Sequence, residues 1–324
     1  MNKIIAIIAG EPNSVSSEII FKCWKFKGKY NHKPFFIIGS IDLLKSQIKK
    51  LKYKIKIKEI NNNFKINDLI GNKLPVFNVE YKQKKPFEKI SIKSNKYIFN
   101  CFEKALEFVK NDKIVGFVNC PVSKETLFKN KHQGVTEYLS KKETKKGRHE
   151  VMLIYNKNLS VSPMTTHIPL SQVTKKINKN NIIEKVKTIN NFYKKFLKRK
   201  ASFAILGLNP HNYFQSKKSR EKKIIDGVIK NLTQLKINIK GPLSADSSFV
   251  IYKKYNFNVL IGMYHDQVLA PFKALYNFDA INITLGLSYI RVSPDHGVGE
   301  SIVGKNKANP KSLIESIKFF NLIK

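Results

Sequence analysis

Short apolar runs alternate along this chain with longer stretches in which apolar side chains recur every three or four residues. Ile4 to Ala9, Phe35 to Ile38 and Ile114 to Val118 have the length and composition of buried strands. Residues 94–109 and 182–198 place their apolar side chains on one helical face. Strands that alternate with helices predict an α/β protein built on a mostly parallel sheet.

Three of the predicted strands end in polar side chains that include a histidine. His167, His211 and His265 each follow a short apolar run that is typical of a buried strand. In open α/β sheets, ligands bind beyond the carboxyl ends of the strands, so these imidazoles are candidates for one shared site. Three imidazoles suit Zn²⁺ or another divalent first-row metal, and Asp246 and Asp266 could orient them.

A simpler interpretation of these histidines stays open. A single His after a strand is more often a loop residue or a buried hydrogen-bonded residue than a metal ligand. The three are 44 and 54 residues apart, so no local spacing motif supports a metal site. The repetition of one arrangement in three places is what favours a common site.

The composition indicates a globular protein of the cytoplasm. Its 324 residues can bury a substantial core, and 42% of them are hydrophobic. No apolar run approaches the roughly 20 residues of a membrane span. The apolar N-terminus is better explained by a first strand than by a signal peptide. Three cysteines without CxxC spacing predict a reducing compartment and no disulfide framework.

The net charge of +37 raises the question of nucleic-acid binding. Nearly all of the excess is lysine, and the chain has only four arginines, Arg148, Arg199, Arg220 and Arg291. Base readout and bidentate phosphate recognition favour arginine, and the lysines are spread along the chain. We therefore predict a solvated basic surface that attracts anionic substrates, without a nucleic-acid or membrane partner. A non-catalytic basic binding protein remains the distant alternative.

Several short blocks of sequence together resemble the 4-hydroxythreonine-4-phosphate dehydrogenase family. They occur in the same order as in that family and span most of the chain. The blocks are Thr166-His167-Ile168-Pro169-Leu170, Gly207-Leu208-Asn209-Pro210-His211, Gly241-Pro242-Leu243-Ser244-Ala245-Asp246, Tyr264-His265-Asp266-Gln267 with Pro271-Phe272-Lys273, Asn282-Ile283-Thr284-Leu285-Gly286-Leu287 and Asp295-His296-Gly297.

The resemblance implies an NAD-dependent and divalent-metal-dependent enzyme. Its reaction would oxidise the C3 hydroxyl of 4-phosphooxy-L-threonine and then decarboxylate the product to 3-amino-2-oxopropyl phosphate, a precursor of pyridoxal phosphate. The family's site draws on both subunits of a homodimer. We therefore expect a two-lobed α/β/α architecture with the active-site cleft between the lobes. We expect residues 1–127 with 300–324 to form the first lobe, and residues 128–299 to form the second, which carries the metal ligands.

The resemblance also implies a role for individual residues. His167, His211 and His265 would bind the metal, which could be Zn or else Mg, Co or Mn. The catalytic residues would be Asp246, Asp266 and Lys273. The small phosphorylated amino-acid substrate would be bound by Thr136, Lys273, Asn282 and Arg291. The cofactor would be bound by Asp295, His296 and Gly297.

The chain departs from the family's pattern in three places. Val135 stands where the family has a His that contacts the substrate, and Ser301 stands where it has Asp. No GxGxxG follows any predicted strand, so NAD is implied by the resemblance alone. The third departure is the loop that begins at Gly10, which has fewer glycines than in the family. These departures keep open a sister dehydrogenase that acts on threonate or erythronate 4-phosphate.

Overall fold

A computed structural model of the chain describes residues 4–129, 134–142, 150–210 and 220–323. The chain forms two compact units: Met1–Glu143 with Leu287–Lys324, and Thr144–Gly286. The predicted boundaries at 127/128 and 299/300 differ from these. The helix at 135–142 belongs to the first unit because it packs into that unit's core, and the strand at 290–294 belongs there because it pairs with the strand at 116–119.

Strands and helices are numbered here along the described part of the chain. The strands are β1 (Ile5–Ile8), β2 (Phe35–Gly39), β3 (Ile57–Ile60), β4 (Leu74–Asn78), β5 (Gly116–Asn119), β6 (Val151–Tyr155), β7 (Ser160–Pro163), β8 (Ser202–Leu206), β9 (Asn238–Leu243), β10 (Val259–Gly262), β11 (Ile281–Leu285) and β12 (Ile290–Pro294). The helices are α1 (Ser16–Lys25), α2 (Ile41–Lys50), α3 (Asn95–Lys110), α4 (Lys124–Phe128), α5 (Val135–Lys142), α6 (Leu170–Lys176), α7 (Lys179–Lys195), α8 (Arg220–Gln234), α9 (Ala245–Ile251), α10 (His265–Tyr276) and α11 (Lys311–Phe319).

The first unit is built on a parallel sheet with the strand order β3-β4-β2-β1-β5-β12. β1 is buried along its whole length, as expected of a parallel strand that is covered on both faces. Ala6 and Ile8 pack under α3, together with side chains of α5. The chain passes from β1 to β2 on one side and later to β5 on the other. The carboxyl ends of β1 and β5 therefore form a topological switch point, where such sheets bind ligands.

The second unit has the strand order β11-β6-β7-β10-β8-β9. β7, β10, β8 and β9 are parallel neighbours, whereas β6 is antiparallel to both β7 and β11. Side chains of α9 and α10 pack against β7, β8 and β10 in one apolar core. The three parallel strands β7, β8 and β10 are those predicted to precede the histidines, so their carboxyl ends lie at one edge.

The prediction of an α/β fold with a mostly parallel sheet is confirmed. One segment differs in detail, because residues 241–246 were predicted to form a turn. Gly241 to Leu243 instead complete β9 beside β8, and α9 begins at Ala245. Within the described ranges, no helix is long and apolar enough to cross a membrane. Cys23, Cys101 and Cys120 are all buried free thiols.

Candidate functional site

His167 and His265 lie close together in the second unit. Their ring centroids are 5.9 Å apart, and the ring planes are inclined by 40°. Two imidazoles that bind one Zn²⁺ through Zn–N bonds of about 2 Å have ring centroids roughly 5–6 Å apart. The spacing of these two rings therefore fits a shared divalent cation.

The third predicted ligand, His211, lies outside the described residues. Within residues 4–129, 134–142, 150–210 and 220–323, no group of three His, Cys, Asp or Glu side chains is placed to hold a metal ion. Two of the three predicted ligands are thus close together, and the third follows β8 by five residues in the sequence.

Backbone hydrogen bonds at the ends of β7 and β10 bring the two histidines together. The Met164 N–H donates to the Gly262 carbonyl at 2.7 Å. Thr165 donates to the Met263 carbonyl twice, from its N–H at 3.3 Å and from Oγ1 at 2.9 Å. Two residues later, each of these segments reaches its histidine. The register of two neighbouring parallel strands is therefore what pairs side chains 98 residues apart.

Asp266 controls which nitrogen of His265 is available to a ligand. His265 Nδ1 lies 2.7 Å from Asp266 Oδ1. An ionised carboxylate accepts the Nδ1 proton, so the tautomer that leaves the Nε2 lone pair for a metal is favoured. His265 begins α10, and Asp266 lies in its first turn, where the helix dipole favours negative charge.

The Gln267 side chain links the ends of β8 and β10. Its Oε1 accepts the Met263 N–H at 2.7 Å, and its Nε2 donates to the Gly207 carbonyl at 2.7 Å. The Gly207 N–H in turn donates to the Leu243 carbonyl at the end of β9 at 2.8 Å. Because both atoms of the amide are used, the glutamine fixes the relative positions of the segments that lead to His211 and His265. Gln267 belongs to one of the blocks that resemble the family, but nothing in the sequence indicated that it links two strand ends.

Glu221 supports the same strand end from the first turn of α8. Its carboxylate accepts hydrogen bonds from the Leu208 N–H and from Asn209 Nδ2, the latter at 3.1 Å. Burial raises the pKa of Glu221, and these two hydrogen bonds oppose the rise. Sequence reasoning missed this residue, because an acidic side chain in the first turn of a helix is ordinarily explained by the helix dipole.

The other predicted residues of the second unit are spread over three elements. Asp246 is exposed in the first turn of α9. Lys273 is exposed on α10, eight residues after His265, which corresponds to about 12 Å along a helix axis. Asn282 lies in β11, and its Oδ1 is buried with no hydrogen-bond partner in the described part of the chain. A buried amide oxygen without a donor suits a ligand that supplies one.

Arg291 provides a buried cation in the first unit. It lies in β12, is 3% exposed, and its Nε donates to Asn119 Oδ1 at 2.7 Å. Burial lowers the pKa of Arg291 to about 10, while Tyr289 and Glu137 favour its charged form. Asn119 is a polar residue at the end of the apolar strand β5, and the predicted strands before the histidines likewise end in polar residues. Sequence reasoning nevertheless did not identify it as the partner of the arginine.

Thr136 and Val135 open α5, beside Glu137, which interacts electrostatically with Arg291. Thr136 is thus the sequence neighbour of a residue whose charge acts on the predicted anion-binding arginine. Val135 is 5% exposed and belongs to the apolar core of the first unit, together with Leu139. The residue at which the chain departs from the resembled family thus has a packing role in this protein.

The predicted cofactor residues follow β12 at the carboxyl edge of the first unit's sheet. The Asp295 N–H donates to Ser312 Oγ at 2.9 Å, and His296 Nδ1 lies 3.0 Å from the Gly297 carbonyl. The Val15 N–H donates to the Val298 carbonyl at 3.0 Å, so this loop lies against the start of α1. Gly297 is exposed, with open space where a β-carbon would stand, and its backbone is accessible to a ligand.

The loop after β1 is closed by its own side chains. Glu11 is 1% exposed, and it accepts hydrogen bonds from the Asn13 N–H at 3.3 Å and from Ser94 Oγ at 3.3 Å. Burial raises the pKa of Glu11 to about 7; Glu300 contributes further, and the two hydrogen bonds oppose the rise. This loop therefore offers no open glycine-lined cradle for a pyrophosphate, as its composition indicated.

The chain is similar to one family of known proteins over most of its length. Residues 31–320 match the family model of the pyridoxal phosphate biosynthetic protein PdxA. A 4-hydroxythreonine-4-phosphate dehydrogenase of Sulfurihydrogenibium sp. (strain YO3AOP1) is 37% identical over 324 residues, which cover 99% of this chain and 98% of that protein. The enzyme of the same name from Aquifex aeolicus (strain VF5) is 32% identical, with coverage of 98% and 97%.

A solved structure shares the fold. The 4-hydroxythreonine-4-phosphate dehydrogenase of Klebsiella pneumoniae superposes with a TM-score of 0.84 at 23% identity, covering 99% of both chains. The similarity thus extends over nearly the full length of the chain, including the segments that carry His167, His265 and Arg291.

Proposed function

Because this chain belongs to the family of the pyridoxal phosphate biosynthetic protein PdxA, we propose that it is a 4-hydroxythreonine-4-phosphate dehydrogenase that uses NAD and a divalent metal. It oxidises the C3 hydroxyl of 4-phosphooxy-L-threonine, and loss of CO₂ then gives 3-amino-2-oxopropyl phosphate. The observation that carries the proposal is the pairing of His167 with His265 at the carboxyl ends of two neighbouring strands.

His167 and His265 would hold the metal, with His211 as the third ligand. A bound divalent cation supplies Lewis acidity at the substrate hydroxyl, where negative charge develops during oxidation. Asp266 keeps His265 in the tautomer that can bind it, and Gln267 holds the strand ends from which the ligands project. The metal is Zn, or else Mg, Co or Mn.

Arg291 anchors the phosphate or carboxylate of the substrate, with Thr136, Lys273 and Asn282. Arg291 is supported by its burial and by its bond to Asn119, which hold the guanidinium in one orientation before a ligand arrives. Lys273 adds a point charge, and the unpartnered Asn282 Oδ1 accepts a hydrogen bond from the substrate's ammonium or hydroxyl group.

Asp246, Asp266 and Lys273 are the proposed catalytic residues. Oxidation at C3 releases the hydroxyl proton, so a basic group must accept it while the hydride leaves. The exposed carboxylate of Asp246 is the candidate to accept it, and the Lys273 ammonium can stabilise the negative charge that develops on the oxygen. Oxidation places a ketone β to the carboxylate, and the decarboxylated carbon then takes a proton from the same groups. Asp266 acts through His265, to which it is hydrogen-bonded.

Asp295, His296 and Gly297 are the residues of the loop that would hold the cofactor. NAD bound there would supply the acceptor for the hydride from C3. The open backbone at Gly297 and the position of the loop beyond a parallel strand support this placement. The closed loop at Glu11 indicates that the cofactor is not cradled there as in a glycine-rich dinucleotide fold.

The protein acts as a homodimer in the cytoplasm, with site residues from both subunits. Val250, Tyr255, Leu275 and Phe278 of the second unit are 78%, 49%, 52% and 45% exposed. Apolar side chains exposed to this extent support a subunit interface in that unit. The buried free thiols are compatible with a reducing compartment.

Metal content and NADH formation test the proposal, with His265→Ala beside the wild type. We expect the wild type to retain about one divalent ion per chain and to reduce NAD when 4-phosphooxy-L-threonine is added. His265→Ala should lose both the ion and the activity. His32→Ala, which changes a histidine of the first unit outside the candidate site, is the matched control. Wild-type protein that binds no divalent ion and reduces no NAD would contradict the proposal.

A sister substrate is the second candidate, favoured by the burial of Val135. Because Val135 packs in the core, the contact that the resembled family makes with a His is missing here. NADH formation on threonate 4-phosphate and erythronate 4-phosphate separates the two functions. The first function predicts the highest kcat/KM on 4-phosphooxy-L-threonine, and a higher value on either of the other acids would select the sister activity.

A further inference from the structure

A lysine-rich groove of about 710 Å³ lies in the first unit, apart from every residue proposed above for catalysis or binding. Five of its twelve lining residues are lysines: Lys22, Lys25, Lys27, Lys52 and Lys54. None of the twelve is acidic. Basic residues make up 60 of the 324 residues of the chain, so the groove is more than twice as rich in positive charge as the sequence as a whole.

The groove lies toward the amino edge of the parallel sheet. Lys25 is the last residue of α1, Lys52 follows α2, and residues 54 and 72 precede β3 and β4. Asn119, the last residue of β5, and the loop after β12 are instead at or beyond the carboxyl ends of strands in the same sheet, and the Arg291 side chain reaches Asn119. Strands of four to five residues separate the two edges by about 13–16 Å. A ligand in the groove is therefore separate from one at the candidate site.

Two of the lysines that line the groove are held in place by contacts with other residues of the first unit. Lys22 Nζ pairs with Glu18 at 2.7 Å and donates to the carbonyls of Asn306 and Ala308 at 3.1 and 2.7 Å. Lys27 Nζ donates to the Gly71 carbonyl and lies 3.6 Å from the centroid of the Trp24 ring. The positions of these two ammonium groups are set without any ligand.

The other three lysines carry charge without an acidic neighbour. Lys25, Lys52 and Lys54 are exposed, and none has an acidic partner among the described residues. Lys52 has a φ of 58°, in the left-handed region that glycine usually occupies after a helix. Ammonium groups gathered at one groove repel one another, and a multivalent anion relieves that repulsion.

We propose that this groove binds a small multivalent phosphate, either inorganic polyphosphate or the phosphate chain of an organic ligand. Its volume lies within the range of small-molecule sites. Lysine recognises a phosphate chain as a point charge, without the planar geometry that arginine requires. The absence of arginine from the groove lining and its concave, limited size favour this ligand over an extended nucleic acid.

Isothermal titration of the full chain with tripolyphosphate, without added metal, tests the site. The test variant is Lys25→Gln/Lys52→Gln/Lys54→Gln, and the matched control is Lys194→Gln/Lys198→Gln/Lys200→Gln, which removes the same charge from the second unit. We expect the test variant to bind at least about tenfold more weakly, and the control to bind within about twofold of the wild type. Binding should weaken as salt is raised. All six residues are exposed, and equal urea midpoints verify that each variant folds.

Three further outcomes of the titrations would decide between this proposal and its alternatives. Equal weakening in both variants would overturn the proposal, because it would show that net charge alone attracts the anion. A short DNA duplex that binds when tripolyphosphate does not would also overturn it. ATP that binds as tightly as tripolyphosphate would identify the phosphate chain as the recognised part, whereas much tighter ATP binding would assign the groove to an organic phosphate. None of these readouts depends on dehydrogenase activity, so this proposal and the proposed function can fail separately.

Discussion

Replacing Gln267 by leucine should weaken both the fold of the second unit and its affinity for a divalent metal. The substitution removes two hydrogen bonds of 2.7 Å, which leaves the Met263 N–H and the Gly207 carbonyl without these partners. A buried backbone group that loses its partner costs about 1–3 kcal/mol. Gln267 is only partly buried, so water can replace some of the loss, and we expect about 2–3 kcal/mol in the free energy of unfolding.

The Gln267→Glu variant distinguishes the contributions of the two hydrogen bonds. The new carboxyl oxygen can still accept the Met263 N–H, but an ionised carboxylate has no proton to donate to the Gly207 carbonyl. A protonated carboxyl group restores that donor, so the native state should raise its pKa. The variant should therefore approach wild-type stability at low pH and lose stability as the pH rises through the raised pKa.

Urea unfolding and zinc titration measure the two effects. Loss of residues that support metal ligands typically costs 10- to 100-fold in affinity, and we expect at least about tenfold for Gln267→Leu. Gln234→Leu, at the exposed end of α8, is the matched control and should change neither quantity. A Gln267→Leu protein with wild-type unfolding and wild-type zinc affinity would refute the idea that this amide positions the strand ends.

Three other predictions concern the first unit. Arg291→Lys loses the Nε donor to Asn119 and the planar guanidinium, so KM for the phosphorylated substrate should rise at least about tenfold in steady-state NADH assays; an unchanged KM would contradict the anchoring role. Folding raises the pKa of Glu11 from 4.5 to about 7, so its contribution to stability is present below pH 4.5 and is lost as the pH rises to 7. Wild type should therefore lose on the order of 3 kcal/mol relative to Glu11→Gln across that window, and parallel urea-midpoint curves for the two proteins would argue against a shifted carboxyl group. Val135→His places a polar ring in the core and should lower the free energy of unfolding by about 2–4 kcal/mol, whereas Val135→Ile should lower it by less than about 1.5 kcal/mol. A His variant of unchanged stability and lower KM would show that this residue faces the substrate.

The sequence was sufficient to find the strands that lead to the candidate site. Apolar runs that stop abruptly on polar residues predicted β7, β8 and β10, and parallel-sheet geometry then predicted that His167 and His265 would meet. The strands could be recognised because burial on both faces gives a parallel strand a run of apolar residues. The assignment of specific roles came from the family resemblance, and it remains a set of predictions.

Residues that act through hydrogen bonds to the backbone could not be found in this way. Gln267 reaches the Gly207 carbonyl, 60 residues away, and Arg291 reaches Asn119, 172 residues away. Neither partnership follows from spacing, because each depends on the order of strands in a sheet. β9 was missed for a related reason: Gly241 and Pro242 are typical of turns, and only pairing with β8 makes the segment a strand.

The unit boundaries also depend on long-range contacts. The predicted boundary after residue 127 assigns α5 to the second lobe, yet Tyr138 and Leu139 pack in the first unit's core. The predicted boundary at 299/300 likewise places β12 and the loop after it with the metal ligands. In the structure β12 pairs with β5, which assigns it to the first unit.

The division of the chain has a consequence for its biosynthesis. The second unit is one uninterrupted segment, whereas the first needs both ends of the polypeptide. A ribosome delivers β12, the neighbour of β5, only after Thr144–Gly286 has been made. Nascent second units are therefore free to fold while β5 still has an unpaired edge. Chains truncated before Ile290 would keep that edge permanently and be prone to aggregate through it.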